Sequence, residues 1–393
     1  MSYLKFQADQ LFDGYRFRDK EEVLITDEQG IIQGIFNQED AGEDIQFIEG
    51  ILSPGFVNAH CHLELSYLKD RIPCNTGLVP FLSQVMKGRN AATELIEEAI
   101  EQGENEMIAN GIVAVGDICN TTNTIKQKQK GRLIYQNFIE VAGFVPAGAN
   151  ARFDAIKDVA TVFEQHFPDN TSIVPHAPYS VSPLLFDLIR NHSNNKVFTI
   201  HNQESAQEDL FFKSRKGDFL SLYNNIGVDI TFFKPSFLSS IEYYIDKIDR
   251  NLNALFVHNT FSKKEDLQTI NDQINNPFYC LCPLANLYIE GRLPDIDLFR
   301  IATGDNSIVI GTDSLASNKT LSILDEIVAI NQHYPTIPIE ELLKWSTING
   351  AKALTLDKSL GSFEVNKQPG IVNIGIKKNL VKTLEISFFK VFL

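Results

Sequence analysis

Between residues 56 and 313, short apolar runs alternate with longer segments whose apolar residues recur at helical spacing. The runs fall at 56–60, 112–117, 132–140, 172–176, 196–201, 254–258, 278–282 and 307–313. The clearest helical segments are 93–108, ended by Gly111, then 155–166, 184–191, 263–274 and 321–331. In the last of these, Ile323, Leu324, Ile327 and Val328 have the spacing of a packed helix. Such alternation predicts a parallel sheet with helices outside it. Eight β/α units over about 300 residues fit a closed (β/α)8 TIM barrel with insertions. An open doubly wound sheet is the alternative, but no G-x-G-x-x-G follows an early strand.

The two ends of the chain read differently. Residues 23–25, 31–32 and 46–48 are short strands separated by Asp27-Glu28-Gln29-Gly30 and by the acidic stretch 39–44. Residues 371–374 and 384–389 repeat that character. The prediction is a small β-sandwich domain built from residues 1–53 and 359–393, flanking a barrel at 54–358. The polar run Gln127-Lys128-Gln129-Lys130 reads as a solvated helix end.

Composition changes this picture little. With 44% hydrophobic and 22% charged residues the chain is globular, and its net charge of −15 argues against nucleic acid or anionic membrane as partner. The N-terminus lacks a signal-peptide pattern, and no run approaches the ~20 apolar residues of a membrane span. Five cysteines without framework spacing fit a reducing cytoplasm. Cys280-Leu281-Cys282 has no second pair nearby, so a structural zinc site is not expected there. The expected partners are a small-molecule substrate and a second copy of the chain in a homodimer.

The candidate chemistry lies where the apolar runs end. Barrel active sites sit at the C-terminal ends of the strands. Six of the eight run ends supply the candidates: His60-Cys61-His62, Asp117, His176, His201, His258 and Asp313. The chain has only eight histidines, and five of them fall at these ends. A His-x-His pair on an extended segment points both imidazoles to one side, so two neutral nitrogens can share a metal at ~2.0–2.1 Å. His201 and Asp313 are natural third and fourth ligands. That donor set suits zinc, with iron, cobalt or manganese as alternatives. Glu204, three residues past His201, can reach substrate as a general acid in a desolvated pocket. His258 can face the metal's water or a developing oxyanion. Glu64 reads equally as a substrate contact or a turn cap. Asp117 reads as a strand-end hydrogen-bonding residue, Ser317 and Thr320 as helix caps, and Arg89 and Arg292 as surface charge.

These residues stand in a recognisable order. Ser53-Pro54-Gly55-Phe56-Val57-Asn58-Ala59-His60-Cys61-His62 resembles the opening motif of the amidohydrolase superfamily. Val174-Pro175-His176-Ala177-Pro178-Tyr179-Ser180, His201-Asn202-Gln203-Glu204, Cys282-Pro283-Leu284-Ala285-Asn286 and Gly311-Thr312-Asp313-Ser314 resemble later motifs of its deaminase and chlorohydrolase branch. Within that branch, His62-Leu63-Glu64-Leu65-Ser66, the segment 287–294 and the segment 311–317 look most like aminodeoxyfutalosine deaminases. The resemblance implies one divalent metal, zinc or else Fe2+, on His60, His62, His201 and Asp313. It implies Asp313 as the base, Glu204 as the proton shuttle, His258 beside the water, and His176 as a substrate contact. The fourth strand ends in His176 and not in the carboxylated lysine of dinuclear members, which implies a mononuclear site. Asn202-Gln203 departs from the small residues of many deaminases. The implied activity is hydrolytic removal of ammonia from a purine-type heterocycle. The alternatives are a chlorohydrolase or other amidohydrolase and, less favoured because Glu204 is present, a non-catalytic metal-binding barrel.

Overall fold

The computed structural model describes residues 3–304, 306–377 and 385–392. The chain opens with β1 (Tyr3–Leu11), β2 (Glu22–Asp27), β3 (Ile32–Asn37) and β4 (Gln46–Pro54). β1 was not foreseen, because its buried positions Phe6, Ala8 and Leu11 are spread among polar ones. It pairs antiparallel with β2 and parallel with β4. Eight further strands follow: β5 (Phe56–Cys61), β6 (Ile112–Cys119), β7 (Ile134–Val141), β8 (Thr171–Pro175), β9 (Val197–Asn202), β10 (Asn253–His258), β11 (Asn276–Leu281) and β12 (Ile308–Ile310). Finally β13 (Ile371–Lys377) and β14 (Glu385–Phe392) return to the first group, giving the sheet order β14-β13-β4-β1-β2-β3. The small β domain therefore draws on both termini, as expected, in a six-stranded sheet. The expected strand residue Leu384 lies outside the described residues.

The eight central strands form two parallel four-stranded sheets, β5-β6-β7-β8 and β9-β10-β11-β12. Side-chain and backbone hydrogen bonds join them along both seams. Thr312 N and Asp313 N both donate to His60 O, at 3.0 and 3.1 Å. Asn58 and Thr312 exchange bonds of 2.8 and 3.1 Å. At the other seam His201 N donates to His176 O at 3.0 Å, and Ser172 Oγ accepts from Lys196 N at 3.1 Å. One apolar cluster takes residues from every one of the eight strands, among them Val57, Ala114, Phe138, Val174, Val197 and Leu255. All eight strands can meet only in the interior of a closed barrel. A larger cluster sets outward residues such as Ile112, Ile139 and Ile200 against helix residues Met107, Phe163 and Ile270.

Two differences from the expected elements matter for the site. The eighth strand is cut from 307–313 to Ile308–Ile310. Gly311 lies so close to β5 that a Cβ there would stand 2.9 Å from His60 Cβ, and Asp313 takes a left-handed φ of 56°. The chain therefore turns inward at that point and carries Asp313 with it. The second difference is a correction. The run 127–130 does end a helix, with Gln129 and Lys130 exposed, but Gln127 is buried and the Lys128 side chain is fully buried. Long insertions follow β5 and β9. They contribute the helices Leu78–Gly88, Ala206–Ser214 and Asp218–Asn225, which pack Leu78, Phe81, Phe211, Phe219 and Tyr223 into a separate aromatic-rich cluster. Both insertions leave the C-terminal ends of their strands. No helix among the described residues is long and apolar enough to cross a membrane.

Candidate metal centre

At the C-terminal mouth of the barrel, ligand atoms of His60, His62, His201 and Asp313 lie within 4.8 Å of one another. Asp313 Oδ1 is 3.5 Å from His60 Nε2 and 3.3 Å from His62 Nε2. His62 Nε2 and His201 Nε2 face each other at 3.1 Å. All four residues are buried. Gln203, His258, Asn259 and Asp313 all adopt positive φ, at 45, 72, 55 and 56°. Such backbone costs free energy and collects at functional sites.

The electrostatics prepare these groups for a cation. Burial lowers the pKa of His60 and His201, and brings His62 down to about 4. Their rings are therefore neutral at physiological pH, with lone pairs available. Burial also pushes the Asp313 carboxyl up, but the imidazoles of His60, His62 and His258 outweigh it and hold the group well below the usual carboxylate range. Three neutral imidazoles and one carboxylate form a standard nitrogen–oxygen donor set for a divalent metal. Both ring nitrogens of the buried His60 lack a hydrogen-bond partner, a loss of about 1–3 kcal/mol for a buried polar group that coordination would remove. His201 Nδ1 bonds the carbonyl of His176 at 2.8 Å, which turns Nε2 toward the cluster. Ser317 Oγ donates to Asp313 Oδ2 and leaves Oδ1 facing the histidines. Ser317 thus braces Asp313, and neither it nor Thr320 caps the next helix; Ser322 does, accepting from Asp325 N.

Glu204 and His258 adjoin this cluster. His258 Nδ1 bonds Asn286 Oδ1 at 2.8 Å, and its Nε2 lies 3.7 Å from Glu204 Oε1. Burial, aided by the charge of Asp313, pushes the Glu204 carboxyl well above the usual range, which favours its neutral acid form. Asn202 and Gln203, the departure from small residues, tie β9 to β10. Asn202 Nδ2 donates to Asn259 Oδ1 at 2.9 Å, and Ser262 Oγ donates to Gln203 Oε1 at 2.5 Å. They support the backbone that presents Glu204.

A second layer was only partly foreseen. His176, with 20% of its side chain exposed, bonds Glu140 Oε1 through Nδ1 at 2.9 Å. Asn120 Nδ2 donates to Glu140 Oε2 at 3.0 Å, and Arg89 reaches Asn120 Oδ1 at 3.1 Å. Glu140 ends the third predicted strand, so the strand-end pattern that selected the others could have found it. Glu64 is raised to about 7 by burial and accepts from Asn120 N at 3.1 Å and Thr121 N at 3.2 Å. It joins the loops after β5 and β6. Arg292 is exposed and stacks on the Phe261 ring at 4.6 Å. Tyr179 follows His176 in the segment 174–180. Its ring stacks on Phe219 at 4.1 Å and meets His176 edge-on at 6.0 Å. Its hydroxyl is buried and has no hydrogen-bond partner.

Comparison with known proteins gives this arrangement its family. A profile described as "Amidohydrolase family" matches residues 51–386. The chain belongs to the amidohydrolase family. This amidohydrolase is 28% identical over 359 residues to an adenosine deaminase of Helicobacter pylori, spanning 88% of this chain and 84% of that one. It is 25% identical over 347 residues to an aminodeoxyfutalosine deaminase of Nitratiruptor sp., spanning 86% and 82%. In fold it matches the crystal structure of H. pylori aminofutalosine deaminase in complex with methylthio-coformycin, with a TM-score of 0.82, 24% identity and coverage of 99% and 98%. A triazine hydrolase variant matches with a TM-score of 0.72 at 13% identity, covering 98% and 93%. The structural matches establish the barrel with its attached sheet as the family's fold.

Proposed function

We propose that this amidohydrolase is a metal-dependent deaminase that releases ammonia from a 6-aminopurine nucleoside. The observation that carries the proposal is the buried Glu204, 3.7 Å from His258, beside a three-histidine, one-aspartate cluster. Relatives named adenosine, aminodeoxyfutalosine, 5-methylthioadenosine/S-adenosylhomocysteine and 5'-deoxyadenosine deaminases share that class of substrate. The metal, zinc by its donor set, is held by His60, His62, His201 and Asp313. When bound there it supplies Lewis acidity and brings the pKa of water toward neutrality. Asp313 takes the proton of the attacking water. The water oxygen bonds to the ring carbon that carries the amine. Glu204 protonates the adjacent ring nitrogen, so negative charge does not build up on the ring. His258 faces the oxygen of the tetrahedral adduct, its ring held by Asn286. The amine then takes the proton from Asp313, the adduct's hydroxyl proton passes to Glu204 and restores the acid, the carbon–nitrogen bond breaks, and ammonia and a ring carbonyl remain. His176 and Glu64 line the approach, and the aromatic cluster beyond His176 suits a flat heterocycle.

The test is ammonia release by the zinc-loaded enzyme from adenosine, 5'-methylthioadenosine, guanine, cytosine and amino-triazines. Turnover on one or both adenine nucleosides is expected. Turnover confined to triazines would favour the hydrolase alternative. Stoichiometric metal with no turnover on any compound would favour a non-catalytic barrel.

Tyr179 supplies a finer prediction. Its unpaired hydroxyl is placed to hydrogen-bond an acceptor on the substrate. A Tyr179→Phe variant is expected to raise KM about 3- to 10-fold with a smaller change in kcat, the worth of one hydrogen bond. An unchanged KM would remove Tyr179 from the binding site.

A further inference from the structure

Lys128 is a buried charge that the proposed chemistry does not use. It ends the short helix Ile125–Lys128, and its side chain is 0% exposed. Its Nζ lies 2.6 Å from Asp117 Oδ2, 2.7 Å from Asn137 Oδ1 and 3.2 Å from Cys119 Sγ. The rings of Tyr135 and Phe163 close around it at 4.7 and 5.3 Å. Taking such a pair out of water costs several kcal/mol per ion, and an apolar pair of similar volume often serves stability as well or better. Stability alone is therefore a weak reason for its presence. A stronger reason lies at the other oxygen of Asp117. Oδ1 accepts a hydrogen bond from Leu63 N at 2.8 Å. Leu63 follows His62 directly and opens the 3-10 turn Leu63–Leu68. Asp117 also stands in strand register with Cys61, between the two histidines.

We infer that Asp117 and Lys128 are positioning residues, which fix the turn after His62 and so hold its imidazole toward Asp313 and His201. A charged acceptor makes a shorter and stronger hydrogen bond to a backbone amide than a neutral one. Lys128 sets an ammonium 2.6 Å from the second oxygen of that acceptor. The lysine thus acts on the metal centre through two intermediaries, a carboxylate and a backbone amide. Outer-shell groups of this kind are worth about 10–100-fold in metal affinity. The inference rests on the metal reading given above.

Two variants test it, Asp117→Asn and the apolar double variant Asp117→Leu/Lys128→Met. The readouts are zinc transfer from the loaded protein to a competing chelator and thermal melting of the metal-free protein. Both variants are expected to hold zinc about 10–100-fold more weakly than the wild type. The metal-free double variant is expected to melt within a few degrees of the wild type, since an apolar pair replaces the ions. A folded double variant whose zinc affinity stays within threefold of wild type overturns the inference and leaves the pair a structural one. If the double variant does not fold, Asp117→Asn decides on the same threshold. A wild-type chain that takes up no zinc overturns the metal reading itself, and this inference with it.

Discussion

A Glu204→Gln variant is expected to keep its metal and its fold while turnover falls by about two to four orders of magnitude. The substitution suits the question because it changes so little else. Glu204 is buried at 5% exposure, and its Oε1 lies 3.7 Å from His258 Nε2. Burial pushes its carboxyl pKa well up and so favours the neutral acid. A glutamine amide is thus close to isosteric and isoelectronic with the group it replaces, and the cluster around Asp313 keeps its charge. What disappears is a proton that can move to a ring nitrogen and return. The loss therefore falls on kcat, with metal content at the wild-type level. Turnover within threefold of wild type, with full metal content, would dismiss Glu204 as the proton carrier.

The strand-end residues were legible in the sequence because barrel geometry imposes a rule on them. A rare, polar residue type at the end of an apolar run stands out, and His60, His62, His176, His201 and His258 did so. Asp313 stood at the end of the eighth predicted run, and the structure explains its position by the turn at Gly311. Other parts depend on contacts distant in sequence. Lys128 reads as solvated because its neighbours Gln127, Gln129 and Lys130 are polar, and nothing local reveals that Asp117, eleven positions earlier, receives it. Glu140 sat at a predicted strand end but was passed over among its apolar neighbours. Ser317 looked like a cap because serine caps helices often, and only the fold brings its hydroxyl to Asp313. The helices after β9 were missed because Gly217 interrupts their pattern and their apolar faces answer to a tertiary aromatic cluster. Likewise Asn202 and Gln203 looked like a departure in substrate choice, and they are ties between two strand ends.

Asp313→Asn is expected to cost more than Glu204→Gln, because it removes a ligand and a base together. The side chain has two oxygens with separate duties. Oδ2 is held by Ser317, and Oδ1 faces His60 and His62 at 3.5 and 3.3 Å. An asparagine fits the same space and can keep an acceptor for Ser317, so the fold should persist. It cannot carry the negative charge that partners three neutral imidazoles around a dication, and it cannot take a proton from water. Metal content after dialysis is expected to fall well below one per chain. With excess zinc restored, turnover is still expected to be down by more than the ~10²–10⁴ of a lone acid–base group. Ser317→Ala supplies the graded comparison, with Oδ2 released but the charge intact, and a loss of about tenfold or less is expected from one hydrogen bond. An Asp313→Asn protein that holds stoichiometric zinc and turns over within tenfold of wild type would place both the fourth ligand and the base elsewhere. The order of the three losses, Asp313 above Glu204 above Ser317, separates this site from one in which the carboxylates only fill space.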